Sequence, residues 1–107
     1  MAGARRTNYN LSVEATTGSQ YDIVSFKNRS NGDTFRRIKN KQVVLTSTKR
    51  ALVDLANFPT KVQIGDVIEV KIIGTVKSGS TTHTVGTSGQ GSVEVTTEPN
   101  PTGGTSI

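Results

Sequence analysis

The stretch VIEVKII at positions 67–73 decides the fold class of this chain. Three of its five apolar residues, Ile68, Val70 and Ile72, alternate with two charged residues. Successive side chains of a β-strand point to opposite faces of a sheet, so this alternation predicts a strand with one buried face. Gly74 follows the stretch directly and is expected to end the strand.

The same period of two continues outward from this stretch in both directions. Alternating runs of this kind come at roughly one every ten residues, a spacing typical of antiparallel sandwiches and small barrels. The prediction is therefore an all-β fold, an antiparallel β-sandwich of about seven to nine short strands, immunoglobulin-like, with a small β-barrel as the alternative. The sequence also predicts that no strands pair in parallel, because no segment between two predicted strands is long enough for a crossover helix. The other predicted runs are 11–16, 21–26, 34–38, 42–47, 50–55, 81–85 and 92–96.

Turn residues lie between these runs. Asn31-Gly32 favours the positive φ angles of a type I′ turn and predicts a hairpin. Ser78-Gly79-Ser80 predicts another turn. Pro59 cannot donate to a strand ladder and restrains Phe58 towards extended geometry, so strand pairing is expected to stop there.

The composition agrees with sheet and excludes several functional classes. Of 107 residues, 35 are Val, Ile or Thr, whose branched Cβ suits a pleated strand. Aromatic residues are 5% and Trp is absent, so one modest aliphatic core is expected. The chain contains no Cys, which excludes a disulfide framework, a thiolate nucleophile and a cysteine-ligated zinc.

Composition also divides the chain into three parts. Residues 1–8 form a short basic arm, residues 9–97 carry the β-domain, and residues 98–107 form a Pro/Gly-rich tail that is predicted not to sustain a ladder. No stretch approaches the ~20 apolar residues of a membrane helix. No apolar region follows Arg5 and Arg6, so a secretory signal is not expected.

Nothing in the sequence predicts catalysis, a metal or a cofactor. The single histidine, His83, lies among Thr residues and is expected to be an exposed strand residue. With no second histidine and no Cys, a His-based metal site lacks ligands. The glycine-rich stretch 86–91 lacks the lysine of a P-loop, and no helix follows it. The prediction is a protein that is not an enzyme.

The charge distribution is the one feature that points to a partner. Residues 27–50 contain eight cations and one acid, a net +7, whereas the chain as a whole is +5 and the remainder therefore −2. Such polarity predicts an anionic partner, either nucleic acid or an acidic protein surface. The alternative is a solvated face that keeps sheet edges unpaired. The candidate partner-binding residues are Arg5, Arg6, Lys27, Arg29, Arg36, Arg37, Lys39, Lys41, Lys49 and Arg50.

The aromatic residues bear on the choice between these partners. Bases stack on exposed rings in single-stranded nucleic-acid complexes. The chain has five rings and no Trp, and most of the rings are expected in the core, which makes nucleic acid the second choice. The rings belong to Tyr9, Tyr21, Phe26, Phe35 and Phe58.

Three segments of the chain resemble a known family. Residues 28–34, with Asn31-Gly32, precede residues 51–59, with Leu55-Ala56-Asn57-Phe58, and the Gly65-Asp66 turn then leads into a central strand. This order is similar to that of immunoglobulin-like and carboxypeptidase-regulatory-like β-sandwich modules of archaeal and phage virions and surface proteins. The resemblance implies a scaffold or adhesive role and transfers no catalytic residue. Such modules are often acidic, whereas this chain is basic.

Together these observations lead to a functional expectation. The chain is expected to be a non-enzymatic structural protein of a virus particle, a capsid decoration or minor capsid protein made in the host cytoplasm. Its partner would be a capsid or other virion protein, bound in many copies or as a homo-oligomer, with the arm and tail lying across neighbouring subunits. The alternatives are an OB-like nucleic-acid-binding domain, suggested by the Gly65-Asp66 turn, and an extracellular adhesion module.

Overall fold

A computed structural model describes residues 9–17 and 20–99 of the chain. Within them the chain forms strands and one short 3₁₀ turn, η1 (Leu55–Asn57). Among these residues, no helical segment has the length and hydropathy of a membrane span. The strands are β1 Asn10–Ala15, β2 Ile23–Asn28, β3 Thr34–Phe35, β4 Arg37–Ile38, β5 Lys41–Gln42, β6 Arg50–Asp54, β7 Val67–Ile73, β8 Lys77–Thr84, β9 Gln90–Val95 and β10 Glu98–Pro99.

The strands form two open sheets that pack face to face. One has the order β6-β1-β9 and the other β10-β8-β7-β2-β3, while β4 and β5 form a separate hairpin. Alternate residues of both sheets are buried in one shared cluster of hydrophobic side chains. The fold is thus all-β and β-sandwich-like, as predicted, and the alternative of a closed barrel is wrong for the sheets described.

The core is mainly aliphatic, as the composition predicted, and it has a small aromatic centre. Ile68, Val70 and Ile72 of β7 are completely buried, which confirms the strand from which the analysis began. Phe26 stacks on Phe35 with ring centroids 4.8 Å apart, and a third ring contacts Phe35 edge-on at 4.7 Å. Four of the five rings are buried, as expected, and Tyr21 is exposed.

The prediction that no strands pair in parallel is wrong. Strand β1 pairs in parallel with β9 over its whole length, from Asn10 opposite Gln90 to Ala15 opposite Val95. A crossover needs length but not a helix, and here the remaining strands of the domain connect the two. Parallel pairing therefore joins the first and the last long strand, and with β6 on the other side both edges of β1 are paired.

The predicted turn at residues 78–80 is also wrong, because β8 runs without interruption from Lys77 to Thr84. The chain reverses earlier, between Ile73 and Lys77. Glycine is required at position 79 for a steric reason, because a Cβ there would overlap the carbonyl oxygen of Thr96. The glycine marks a close approach of two backbones.

The start of the Pro/Gly tail takes part in a ladder, contrary to expectation. Glu98 pairs with Ser78, and Pro99 pairs with Lys77, both antiparallel. Strand β10 lies at the edge of its sheet, a position at which proline is tolerated. The rest of the tail, and the arm with Arg5 and Arg6, lie outside the described residues.

Candidate functional site

The β4–β5 hairpin is an insertion in an edge strand. Strand β3 pairs with β2 at Phe26 opposite Phe35, and the chain rejoins β2 where Val44 bridges Ile23. Between these two points, the edge chain advances by six residues more than β2 does. Six residues are the length of the segment Arg37–Gln42, so residues 34–36 and 43–45 form one antiparallel edge strand from which the hairpin projects.

The hydrogen bonds at its base confirm this reading. The Val43 N–H donates to the Arg36 carbonyl at 2.9 Å and closes the hairpin. The Val24 N–H donates to the Val43 carbonyl at 2.9 Å, which returns the chain to β2. The predicted runs at 34–38 and 42–47 are therefore wrong as continuous strands, because the six-residue insertion interrupts their pairing with β2.

The tip of the hairpin carries backbone strain. Lys39 and Asn40 form a two-residue loop with φ angles of 52° and 68°. Positive φ at both positions defines a type I′ turn, which glycine and asparagine accept and lysine does not. A type I′ turn was predicted at Asn31-Gly32, but the turn of this type lies at Lys39-Asn40 instead. A hairpin does form at Asn31-Gly32, with a different turn. Strained backbone of this kind clusters at functional sites, so the tip is a candidate for a functional role.

Removing that strain should stabilise the protein. Asn40→Gly and Lys39→Asn are each expected to raise the free energy of unfolding by about 0.5–1 kcal/mol, because the new residue adopts positive φ more easily. Urea denaturation measures the change. A loss of stability in both variants would contradict the strain. Only Lys39→Asn removes a charge, so only that variant should also weaken binding to an anion.

The hairpin concentrates four of the predicted cations. Arg36 lies at its base, Arg37 and Lys41 on its strands and Lys39 at its tip, and all four are exposed. No acidic residue occurs between positions 34 and 50. The structure therefore brings these four cations together on one projection, which we call the basic hairpin.

The other predicted cations lie elsewhere. Lys27 is on the outer face of the larger sheet, directly opposite Glu69, and Arg29 is in the β2–β3 loop. Lys49 is half-buried at the turn before β6. Arg50 makes an ion pair with Glu14 at 3.5 Å on the smaller sheet. The Arg50 side chain is 61% exposed in this pair, so the guanidinium remains accessible from solvent.

Beside the basic hairpin lies a groove of about 280 Å³. It separates the hairpin and the chain that follows it from β6. The exposed Leu52 was not identified from the sequence, although the period of two in β6 places it opposite the buried Ala51 and Val53. The lining residues are Ile38, Lys41, Gln42, Val43, Val44, Thr46, Ala51, Leu52 and Val53.

His83 is not the exposed residue that the sequence predicted. Its Nε2 lies 2.8 Å from the Oη of Tyr9, a side chain only 1% exposed, and the same oxygen accepts the Gly86 N–H at 3.3 Å. A Cβ at Gly91 would come within 2.5 Å of the imidazole, so that position accommodates the ring. Burial lowers the pKa of His83 below its usual 6.5.

This arrangement predicts that stability depends on pH. A folded-state pKa below 6.5 means that the unfolded chain takes up the proton first. The contribution of neutral His83 is therefore complete above pH 6.5 and declines as the pH falls below that value. Urea denaturation between about pH 7.5 and 5 should show this decline and a smaller one for His83→Gln. Equal declines in both proteins would contradict it.

Two carboxylates of the loops have structural partners. Asp66 Oδ2 accepts from Asn28 Nδ2 and from the Gln63 N–H, both at 2.9 Å. Asp33 Oδ2 accepts the Thr60 N–H at 3.0 Å. Across residues 9–17 and 20–99, no cluster of three or more His, Asp or Glu side chains could hold a metal ion. The basic hairpin and its groove are the candidate functional site.

Comparison of the chain with models of known protein families, with curated proteins and with solved structures finds no match.

Proposed function

We propose that this protein is a non-enzymatic structural component of a virus particle, which docks on an acidic capsid surface through the basic hairpin. The observation that carries the proposal is the six-residue insertion Arg37–Gln42, which projects from an otherwise regular edge strand. The sandwich does not require it for pairing, and half of its residues are cations. The resemblance to virion modules supplies the setting.

Electrostatics explains how such a projection would work. Exposed cations attract an acidic surface over about one Debye length, ~8 Å at physiological salt, and orient the approach. The strained tip fixes the position of Lys39 relative to Arg37 and Lys41. Many copies on one lattice would add to the affinity of each contact, which suits a decoration or minor capsid protein.

Co-sedimentation with capsids assembled without this protein tests the proposal. Binding is expected at low salt and should weaken as salt rises. The double variant Lys39→Glu/Lys41→Glu should bind at least about tenfold more weakly, since two attractive contacts become repulsive. The matched control is Lys61→Glu, an exposed lysine in the loop between η1 and β7 that is not part of the hairpin, which should bind as the parent does. No co-sedimentation at any salt concentration would refute the proposal.

Nucleic acid is the second candidate, and one observation favours it. The exposed ring of Tyr21 lies next to the chain that leaves the hairpin, because the Tyr21 N–H donates to the Leu45 carbonyl at 2.9 Å. An exposed ring beside cations suits base stacking. A gel shift with single-stranded DNA and RNA distinguishes the candidates. A shifted probe that Tyr21→Ala releases would favour nucleic acid over the capsid.

A further inference from the structure

The groove beside the basic hairpin lies between two strand edges. Residues 51, 52 and 53 of β6 line it consecutively, as do residues 41 to 44 on the opposite side. Consecutive side chains of a strand point to opposite faces. Both faces of a segment can border the same groove only when the edge of its backbone is turned towards it.

On the β6 side, the hydrogen-bond pattern identifies the free groups. The Ala15 N–H donates to the Lys49 carbonyl, and the Leu55 N–H donates to the Tyr9 carbonyl, so odd-numbered residues face β1. The carbonyl of Arg50 points the other way and accepts the Thr46 N–H at 2.8 Å. In an antiparallel ladder this direction alternates, so the N–H and carbonyl of Leu52 also point away from β1.

On the hairpin side, the same reasoning applies to Val44. Val43 and Leu45 bond to β2 and to the residue before it: the Val43 carbonyl accepts the Val24 N–H at 2.9 Å, and the Leu45 N–H donates to the Asp22 carbonyl at 3.0 Å. The N–H and carbonyl of Val44 therefore point away from β2. Among the described residues neither Val44 nor Leu52 has a backbone partner on its outer side.

The side chains define what the groove would accept. Leu52 is 72% exposed, and Ile38 and Val44 are half-buried beside it, so the walls are apolar. Lys41 stands on the hairpin rim with Lys39 beyond it, and no carboxylate lines the groove. The chemistry fits an extended segment with alternating apolar and acidic side chains.

We infer that an extended acidic segment of the partner protein enters this groove and adds to β6 as a strand, pairing with the backbone of Leu52. This inference rests on the proposed docking of the basic hairpin and names what the hairpin holds. The segment would cover the Leu52 side chain and place its carboxylates against Lys41 and Lys39. Strand addition satisfies backbone groups that an edge strand otherwise leaves to water.

Two synthetic peptides test the inference by fluorescence polarisation. The first is capped Glu-Val-Glu-Val-Glu, and the second has the same sequence with N-methylated valines, which cannot donate to a ladder. The parent protein is expected to bind the first at least about tenfold more tightly, because strand pairing needs the N–H groups. Equal affinity for the two peptides would overturn strand addition.

Two variants locate the site. Leu52→Pro removes an N–H that faces away from β1, so the ladder with β1 keeps its bonds, and peptide binding should be lost. Leu52→Ser keeps the backbone and should weaken binding several-fold through the lost apolar contact. Unchanged binding in Leu52→Ser, together with folded Leu52→Pro that still binds, would place the peptide elsewhere and overturn the inference.

A third probe separates this inference from the proposed function. Polyglutamate carries charge without the alternating apolar residues. If polyglutamate binds the parent and is released by Lys39→Glu/Lys41→Glu, while the two peptides bind equally, hairpin docking stands and strand addition fails. If polyglutamate and both peptides fail to bind at low salt, docking of acidic segments and strand addition fail together.

Discussion

Gly79→Ala is expected to lower the free energy of unfolding by about 3 kcal/mol, at the upper end of the cost of overpacking. The added Cβ would overlap the carbonyl oxygen of Thr96 and lie 3.0 Å from its carbonyl carbon. These are backbone atoms, so no side-chain rotation relieves the overlap. Relief requires that β8 separate from the chain that connects β9 to β10. For a domain whose total stability is ~5–15 kcal/mol, this is a large loss.

Gly86→Ala is the matched control for this prediction. A Cβ at Gly86 meets nothing within 4 Å, and its φ lies outside the left-handed region. The substitution should leave stability unchanged or raise it by up to about 1 kcal/mol through a less flexible unfolded chain. Urea denaturation followed by circular dichroism measures both variants. Equal stability of the two variants would mean that β8 and Thr96 are not in close contact.

Gly79 shows a limit of prediction from sequence patterns. Ser78-Gly79-Ser80 has the composition of a turn, and a turn was predicted there. In the structure the glycine lies within β8 because another backbone passes over it. A missing side chain indicates that space or conformational freedom is needed, and the sequence does not say which. The position of the Thr96 backbone shows that space is the reason at Gly79.

The strands with a clear alternation were predicted well, because a period of two puts all the apolar side chains of a strand on one face, which must then be the buried face. Leu11, Val13 and Ala15 of β1 are buried as the alternation predicted, and so are the alternate residues of β7. The parallel partner of β1 could not be predicted in this way. Both faces of a strand can be assigned from its own residues, whereas its neighbours depend on the path of the whole chain.

The turns illustrate a competition that local sequence does not reveal. Asn31-Gly32 favours a type I′ turn, yet Asn31 does not adopt positive φ and only Gly32 does, at 85°. The Asn28 N–H bonds to the Asp33 carbonyl at 2.7 Å, which leaves a loop of four residues between them. Asn28 is fully buried and held by its side chain, so tertiary contacts set the loop length.

Charge composition predicted the cations of the candidate site but not their arrangement. The excess between positions 27 and 50 is visible in the sequence, and four of its members do lie together on the basic hairpin. That the hairpin interrupts an edge strand follows only from the register on either side of it. The groove depends on where β6 lies, which is fixed by its pairing with β1.

Deletion of residues 37–42, joining Arg36 to Val43, is expected to leave a folded protein that has lost the docking surface. Six is an even number, so the deletion keeps the alternation of faces. Phe35, Val43 and Leu45 are buried while Arg36 and Val44 are not, the pattern of one continuous strand. The lost contacts of Ile38 should change stability by only about 1–2 kcal/mol.

Binding to an acidic partner should fall much further than stability. Three exposed cations are removed, and at about 1 kcal/mol each the loss is roughly 100-fold in Kd. Co-sedimentation with undecorated capsids, or polarisation with polyglutamate, measures this loss of affinity.

The control Arg37→Thr/Lys39→Thr/Lys41→Thr keeps the hairpin and removes its charge, so it should lose nearly as much affinity. If this variant binds as the parent does, charge is not what the hairpin contributes. An unfolded deletion variant would instead show that the sandwich depends on the insertion, which the register argues against.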